Sequence, residues 1–263
     1  MNLEILSLDL LQQFIKALNY SPKEILNQLE KTETPVDYFQ FYNSVSSVYS
    51  SKIEGENIDF DSFFKHKFMK VQYQPDYTKK ADDLYLAYEF VTKNKLTLSN
   101  LQIAHSLLST NLLPTNQQGL IRNNPMFVIN SNDRIEYVAA EPSIVKIELE
   151  KLFKDIQTIK ESKLDEFEVF YFASYIHLAF VKIHPFQDGN GRAARLLEKW
   201  FLIEKLGEKA TVVQLEKNYY QNLEAYYSNI KKLGTEYQDL DFSKCLDFLL
   251  MTVNGMQKQL HST

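Results

Sequence analysis

The segment Asp165–Ile183 is apolar on nearly every side of the helix that its sequence predicts. A helix without a polar face is normally buried at the centre of a protein. Pro185 prevents this helix from continuing, so the chain has to leave it just after His184. The rest of the chain is therefore expected to fold around one central helix that ends in an abrupt turn.

Most of the remaining sequence has apolar residues three or four positions apart, a spacing typical of amphipathic helices. Ser21 and Pro22 are typical of a helix start, and Pro35 opens a second candidate that continues towards Ile53. The apolar share of 44% is enough for a substantial core. The other predicted helices are Lys23–Lys31, Lys80–Lys93, Leu98–Leu108, Ile144–Ile159, Gly191–Leu206, Tyr219–Leu233 and Phe242–Leu260.

Two short runs, 125–129 and 134–138, are rich in β-branched and aromatic residues and flank the polar stretch Asn130–Asp133. This pattern predicts one β-hairpin. A lone hairpin is marginally stable in water, so we expect it to lie against the helices. Its free edge could be a structural remnant or a surface that accepts a peptide strand. The predicted fold class is all-α with one small β-hairpin flap.

Charge and composition argue against several classes of protein. The 29 Lys and Arg against 34 Asp and Glu, a net charge of -5, give no basic surface for nucleic acid. The longest uncharged apolar stretch, Val169–Val181, is too short to cross a bilayer, so no membrane contact is expected. The N-terminal segment lacks the leading basic residues of a secretory signal, and Cys245 is the only cysteine. We therefore expect a cytoplasmic protein.

The most informative residues form the run His-Pro-Phe-Gln-Asp-Gly-Asn-Gly-Arg-Ala-Ala-Arg at 184–195. Gly189 and Gly191 come immediately before a predicted helix, where small residues let backbone N–H groups converge on an anion. Arg192 and Arg195 are three residues apart and project from the same face of that helix. Two guanidinium groups at a helix N-terminus suit a polyphosphate.

Two further residues of this run complete a site for phosphoryl transfer. Asp188 is a suitable ligand for Mg²⁺, which uses one or two carboxylates together with phosphate oxygens. A neutral His184 could take the proton of an attacking hydroxyl. Ordinary structural roles are the alternative: His184 could cap the helix, Asp188 could serve in a turn, and the two arginines could pair with Glu198. The occurrence of all these residues within one short run favours a single site.

The run His-Pro-Phe-x-Asp-Gly-Asn-Gly-Arg-x-x-Arg resembles the signature of the Fic (Fido) family, whose best-known members transfer AMP from ATP to a protein hydroxyl. The resemblance extends from about Leu96 to Leu233 and implies a Fic-type helical core with a flap at about 125–138. The implied parts of the chain are an N-terminal helical region (1–95), the core (96–235) and a C-terminal helix packed on the core (236–263).

The resemblance also assigns roles to single residues. His184 would be the general base, Phe186 would anchor the loop, and Asp188 would bind Mg²⁺. Arg192 and Arg195 would hold the β- and γ-phosphates of ATP. The residues implied in ATP binding are Gly189, Asn190 (through its backbone and side chain), Gly191, Arg192, Ala193, Ala194, Arg195 and, near the adenine, Tyr220. The flap residues that would bind a target protein are Phe127, Val128, Ile129 and Ile135.

The run Ser-Ser-Lys-Ile-Glu-Gly, which begins at Ser50, resembles the inhibitory motif of the same family, on a helix expected at about 36–55. By this resemblance Glu54 would pair with Arg195 and block the productive position of the γ-phosphate. Alternatively, Glu54 ends a surface helix and Gly55 caps it. A carboxylate at a helix C-terminus opposes the helix dipole, which favours a tertiary partner for Glu54.

These features lead to three hypotheses of function. An auto-inhibited protein adenylyltransferase would move AMP from MgATP to a Ser, Thr or Tyr hydroxyl of a target protein. A de-AMPylase would use Glu54 to orient a water molecule and remove AMP. A nucleotide-sensing module would bind ATP without turnover. Members of the family often pair through the core, so the resemblance makes a homodimer one alternative and leaves the oligomeric state open. The target protein and the signal that displaces Glu54 are not encoded in these motifs.

Overall fold

A computed structural model describes residues 1–30, 37–72, 77–129 and 132–261 of the chain. These residues are mainly helical and include one two-stranded antiparallel sheet, which confirms the expected fold class. The elements are α1 (Leu11–Ala17), α2 (Pro22–Glu30), α3 (Tyr38–Ile53), α4 (Phe60–Met69), α5 (Lys79–Lys93), α6 (Leu98–Leu108), β1 (Phe127–Ile129), β2 (Ile135–Val138), α7 (Val145–Glu161), α8 (Glu166–Ile183), α9 (Asn190–Leu206), α10 (Leu215–Gln221), α11 (Leu223–Lys231), α12 (Leu246–Leu249) and α13 (Met251–Leu260).

The central helix is α8, as its apolar sequence predicts. It begins with a capping box, in which the Asp165 carboxylate accepts from the Glu168 N–H and the Glu168 carboxylate accepts from the Asp165 N–H. Phe172 and Phe180 are completely buried, and α9 packs along this helix with Trp200 in the same core. The turn between α8 and α9 is therefore fixed at both ends by buried helices.

Helix α3 lies between α5 and α10 and carries its C-terminal end into the protein. Asp37 caps its start by accepting from the Gln40 N–H at 2.8 Å. Several serines of this helix are buried, and the hydroxyls of Ser44 and Ser47 donate to carbonyls four residues earlier. These internal hydrogen bonds let a helix with a polar composition pack against neighbours on two sides.

The predicted β-hairpin is present and pairs Phe127 with Val138. Strand β2 is tied to the helices, because the Tyr137 hydroxyl donates to the Lys182 carbonyl at 2.6 Å. The Val138 N–H also donates to the Thr235 carbonyl at 2.8 Å. The flap is thus held close to the end of α8, whereas residues 130–131 of the predicted tip lie outside the described residues.

Two predicted helices are wrong in their extent. The single helix expected over Tyr219–Leu233 is divided into α10 and α11 at Asn222, whose side-chain amide donates to the Asn218 carbonyl and competes with the helical backbone. The helix expected over Phe242–Leu260 begins as a 3-10 turn and continues as α12 and α13.

Two short helices, α1 and α4, were not predicted. The start of α4 has a sequence signal, since Asp59 caps it by accepting from the Ser62 N–H at 2.9 Å. The expected helix start at Pro35 and part of the expected connection 72–80 lie outside the described residues. Among the helices of the described residues, none combines the length and apolar character that a membrane-crossing segment needs.

Candidate active site

His184 lies at the end of α8, where its φ of 55° turns the backbone out of the helix. The ring Nδ1 lies 3.1 Å from the carbonyl oxygen of Val181, which can only accept, so Nδ1 carries the proton and Nε2 has the lone pair. Burial lowers the pKa of His184 to about 4. The imidazole is therefore neutral at physiological pH and has the form of a general base.

The loop after His184 is held by its own buried side chains. Phe186 is completely buried, as its anchoring role implies. Both amide atoms of Asn190 bond to the Phe186 backbone, with Oδ1 accepting from its N–H and Nδ2 donating to its carbonyl, each at 2.8 Å. The Asn190 side chain thus closes the loop. The expected contact of Asn190 with ATP stays a prediction.

His105 on α6 supports this loop from the other side. Its ring stacks on Phe186 with 3.6 Å between ring centroids. Its Nδ1 accepts from the Gly119 N–H at 3.0 Å, so Nε2 carries the proton and donates to the Asp188 carbonyl at 2.9 Å. Burial lowers the pKa of His105 to about 4 and keeps this arrangement neutral. His105 was not predicted, because its role depends on contacts 83 residues away in sequence.

Arg195 is 1% exposed, and every nitrogen of its guanidinium group is hydrogen bonded. Nε donates to the Ser50 hydroxyl at 2.9 Å and Nη2 donates to the Ser50 carbonyl at 3.2 Å. Nη1 donates to the Tyr226 hydroxyl at 3.3 Å, and Nη2 also donates to Oε1 of Glu54 at 2.6 Å. Although burial opposes the charge, Tyr226 and Glu54 hold the pKa of Arg195 above its ordinary value.

Glu54 reaches Arg195 because α3 ends at this point and Gly55, with φ of 85°, turns the chain away. Burial raises the pKa of the Glu54 carboxyl, but the charges of Arg195 and Arg192 outweigh it and hold the pKa below its ordinary value. A Cβ atom at Gly191 would lie 2.6 Å from Oε1 of Glu54, so the glycine leaves room for the carboxylate. The structure brings together the expected pair, whose inhibitory effect stays a prediction.

A second carboxylate of the same segment lies at the other arginine. Glu56 Oε1 is 3.5 Å from Nη2 of Arg192 and 2.6 Å from Nζ of Lys80. Arg192 is 4% exposed, and its buried Nε has no hydrogen-bond partner among the described residues. Sequence reasoning missed Glu56, although its position two residues after Glu54 was a signal. The N–H of Arg192 Nε is a donor that a ligand could use.

His184 lines a cavity of about 550 Å³ that extends from the flap to the start of α9. Its floor includes Gly191 and Arg195, and Glu54 enters it from the end of α3. The cavity is lined by Glu54, Val128, Ile129, Glu136, Tyr137, Val181, Lys182, His184, Gly191, Arg195, Tyr226, Tyr227, Ile230 and Lys231. His184, Arg195 and the flap therefore share one space, and their roles as general base, phosphate ligand and target-binding surface stay predictions.

Several predicted residues lie elsewhere. Tyr220 does not line the cavity but packs against Tyr49, with 5.7 Å between ring centroids, and its role beside the adenine stays a prediction. Tyr226 and Tyr227, which were not predicted, line the cavity instead. Phe127 and Ile135 lie on the exposed side of the flap. Ala193 and Ala194 are completely buried in the core, so their side chains do not reach the cavity surface.

The residues present fit a nucleoside polyphosphate with Mg²⁺. No side chain caps the N-terminus of α9, so its first N–H groups can bind an anion. Asp188 is exposed, and one of its carboxylate oxygens accepts from the Gly189 N–H at 2.6 Å. Within the described ranges no group of three or more His, Cys, Asp or Glu side chains could hold a metal. A metal ion at Asp188 would therefore need phosphate oxygens and water as its other ligands.

Comparisons with known proteins identify a family for the central part of the chain. The model of the Fic/DOC family matches residues 95–202, so this part of the chain is similar to the Fic/DOC family. The comparison with curated proteins found no match. The family match supports a Fic-type enzyme, a class that generally transfers nucleotidyl groups and binds a nucleotide with a metal.

Solved structures show the same fold at low sequence identity. A Fic family protein from Desulfovibrio desulfuricans G20 is 17% identical with a TM-score of 0.79, covering 100% of this chain and 77% of that chain. A Fic domain containing signaling protein from Bacteroides thetaiotaomicron VPI-5482 is 17% identical with a TM-score of 0.68, and the match covers 95% of this chain and 92% of that chain. Fic-1 from C. elegans is 13% identical with a TM-score of 0.60, and the match covers 96% of this chain and 72% of that chain.

Proposed function

We propose that this protein is an auto-inhibited protein adenylyltransferase, which transfers AMP from ATP to a Ser, Thr or Tyr hydroxyl of a target protein. The observation that carries the proposal is the 2.6 Å ion pair between Glu54 and Arg195 in the cavity that His184 lines. An arginine fork at a helix N-terminus suits phosphate, and a carboxylate placed on that fork competes with phosphate for it.

The chain's own residues account for the steps of transfer. The target hydroxyl gives its proton to Nε2 of His184, whose other nitrogen is fixed by the Val181 carbonyl. The hydroxyl oxygen then forms a bond to the α-phosphorus of ATP, and the bond from that phosphorus to the oxygen bridging to the β-phosphorus breaks. Arg192 and Arg195 hold the β- and γ-phosphates, which leave as pyrophosphate.

Mg²⁺ bound to Asp188 would neutralise negative charge on the phosphates during this displacement. The arginines support the proposed phosphate contacts, since the buried Nε of Arg192 has no hydrogen-bond partner among the described residues. Gly191 supports them too, because a Cβ atom there would lie 3.2 Å from Nη1 of Arg195 and a side chain would crowd this arginine.

The flap is proposed to place the target segment. Val128 and Ile129 line the cavity, and the side chain of Ile129 is nevertheless 60% exposed. An exposed apolar edge next to a general base can accept an extended peptide by strand addition, with main-chain hydrogen bonds for affinity. A hydroxyl-bearing residue of that peptide would then lie at His184.

The opposite reaction, removal of AMP from a modified protein, has one supporting observation. Glu54 lies in the same cavity as His184, and its pKa below the ordinary value keeps it a carboxylate that could orient a water molecule. In that case Glu54 is needed for activity instead of restraining it.

Labelling with α-labelled ATP and Mg²⁺ distinguishes these functions. The proposal predicts little label on protein with the parent chain, strong label with Glu54→Gly, and none with Glu54→Gly/His184→Ala. Thermal unfolding of the double variant controls for loss of structure. Absence of label with Glu54→Gly would overturn the proposal, and loss of AMP removal in that variant would establish the de-AMPylase.

A further inference from the structure

A chain of buried polar groups continues from Arg195 away from the cavity. The Arg195 Nη1 donates to the Tyr226 hydroxyl at 3.3 Å, and that oxygen lies 3.0 Å from Nε2 of His177. Nδ1 of His177 lies 2.7 Å from Oε2 of Glu198. All four residues are buried, with at most 1% of their surface exposed. The phosphate-binding site is thus linked to a buried carboxylate on the same helix, α9.

Elementary chemistry fixes the direction of every hydrogen bond in this chain. A guanidinium group only donates, so the Tyr226 oxygen accepts from Arg195. The ionised Glu198 carboxylate only accepts, so neutral His177 carries its ring proton on Nδ1 and donates it to Glu198, which leaves Nε2 to accept the proton of the Tyr226 hydroxyl. Burial lowers the pKa of His177. Burial raises the pKa of Glu198, but the hydrogen bonds from His177, Thr252 and Tyr219 together with the charge of His177 outweigh it and hold that pKa below its ordinary value. The histidine is neutral and Glu198 is the anion.

Glu198 is held in place by other elements. Its Oε1 accepts from the Thr252 hydroxyl of α13 at 2.6 Å and from the Ser174 hydroxyl of α8 at 3.2 Å. Its Oε2 also accepts from the Tyr219 hydroxyl of α10 at 2.8 Å. A buried carboxylate with four donors has a fixed position and full compensation for its lost hydration.

The hydrogen bonds of the Arg195 guanidinium group go to two separate parts of the protein. The hydrogen bonds of Nε and Nη2 all go to Ser50 and Glu54, which belong to α3 and its cap. Among the described residues, the Tyr226 hydroxyl is the only hydrogen-bond partner of the Arg195 guanidinium group that α3 and its cap do not supply. Once Glu54 has left the cavity, Ser50 and Tyr226 still hold the guanidinium group, and Tyr226 is the support from outside α3.

We propose that Tyr226 is a positioning residue, which His177 and Glu198 hold so that Arg195 keeps the orientation that a nucleotide polyphosphate needs after Glu54 has moved away. This inference rests on the proposed function for the identity of the ligand. A donor group that is fixed before binding loses little conformational entropy when the phosphate arrives. Removal of the Tyr226 hydroxyl leaves a buried donor, Nη1 of Arg195, and a buried acceptor, Nε2 of His177, without a partner.

The experiment compares ATP and AMP binding by calorimetry in Glu54→Gly/His184→Ala, which cannot turn over. Adding Tyr226→Phe is expected to weaken ATP binding about tenfold, equivalent to about 1.4 kcal/mol. AMP binding is expected to stay the same, since AMP lacks the β- and γ-phosphates that Arg192 and Arg195 would hold. Thr252→Val is the matched control, because it removes a donor to Glu198 but leaves the chain from Arg195 to Glu198 complete. It should lower thermal stability without changing either affinity.

Equal ATP affinity with and without Tyr226→Phe would overturn the inference, and so would an equal loss for ATP and AMP. A second measurement needs no nucleotide. In a double-mutant cycle of Glu54→Gly and Tyr226→Phe, the combined loss in Tm is expected to exceed the sum of the single losses by about 2 °C or more. Additive losses would contradict the shared role in holding Arg195, whereas a failure of Glu54→Gly to bind ATP would overturn only the proposed function.

Discussion

His184 owes its chemical form to two local features. The carbonyl of Val181 fixes the proton on Nδ1, and burial at the end of α8 keeps the ring neutral. A histidine in water would be partly protonated near pH 6.5 and would lose its function as a base there. In this site Nε2 stays unprotonated, with its lone pair available, down to a lower pH.

This form of His184 predicts a flat pH profile on the acid side. We expect kcat/KM for AMP transfer by the Glu54→Gly variant to stay level as the pH falls from 8 to 6, because the pKa of His184 is about 4. Initial rates with labelled ATP, well below saturation, measure this quantity. A fall with a midpoint near pH 6.5 would show that the imidazole is not held neutral.

Glu56 adds a second restraint on the arginines. It lies 3.5 Å from Arg192, whereas Glu54 lies 2.6 Å from Arg195, so the ion pair of Glu56 is worth less than that of Glu54. In the Glu54→Gly background, Glu56→Gln is expected to tighten ATP binding by about two- to threefold. Glu89→Gln is the matched control, since Glu89 pairs with Lys93 at 3.4 Å elsewhere on the surface. Equal effects of the two substitutions would mean that Glu56 does not compete with phosphate.

Among the elements, the flap and the signature loop are joined through one arginine. Arg122 is 5% exposed and donates from Nε to the His184 carbonyl at 2.7 Å and from Nη1 to the Asn124 carbonyl at 2.7 Å. Its Nη2 donates to the Ala140 carbonyl at 2.5 Å. The two ends of the flap segment and the residue that supplies the base thus share one guanidinium group.

Arg122→Lys is therefore expected to lower the free energy of unfolding by about 2–4 kcal/mol, because an ammonium group cannot reach three separate carbonyls. It should also lower AMP transfer by the Glu54→Gly variant, since the flap and His184 lose their common support. Arg134→Lys, at an exposed residue just before β2 of the same flap, is the control and should change stability by less than about 0.5 kcal/mol. Urea unfolding measures the stability of both variants. Similar losses for Arg122→Lys and Arg134→Lys would show that Arg122 does not join the flap to the signature loop.

Sequence reasoning located the elements and contacts that depend on local pattern. Periodicity predicted α6 and α8 almost to the residue, and the signature run predicted which residues meet at the start of α9. It could not find His105 or Arg122, whose partners are backbone carbonyls far along the chain. A carbonyl has the same chemistry at every position, so no side-chain pattern identifies it.

The tyrosines that line the cavity could not be predicted for a related reason. Tyr220 was named from a local resemblance, whereas Tyr226 and Tyr227 line the cavity because the break at Asn222 starts a new helix in another direction. A change in direction alters which face of the chain meets the site. Such a break depends on the packing of α10 and α11, and periodicity alone predicted one continuous helix there.

At the scale of the whole molecule, folding keeps His105 and His184 neutral at a cost that depends on pH. His105 and His184 both have a pKa of about 4 when folded, and the ordinary value is 6.5. Below pH 6.5 the unfolded chain binds protons at these sites that the folded chain does not bind, so stability is complete above pH 6.5 and decreases as the pH falls towards 4.

We expect each of these histidines to remove about 2 kcal/mol from the free energy of unfolding when the pH is lowered from 7 to 5. His184→Ala lacks one of the two sites, so its stability should fall by about 2 kcal/mol less over the same range. Urea unfolding at each pH gives both curves. Parallel curves would show that His184 is not buried as a neutral group.

The competition between Glu54 and phosphate for Arg195 can be measured by calorimetric titration of ATP with Mg²⁺. Two proteins are compared, His184→Ala and Glu54→Gly/His184→Ala, so that neither turns ATP over during the titration. The ion pair at 2.6 Å predicts that ATP binds at least about tenfold more tightly once Glu54 is removed, as expected for a pair worth about 1.4 kcal/mol or more. Equal affinities would contradict the account, because the carboxylate would then not occupy the position that the polyphosphate needs.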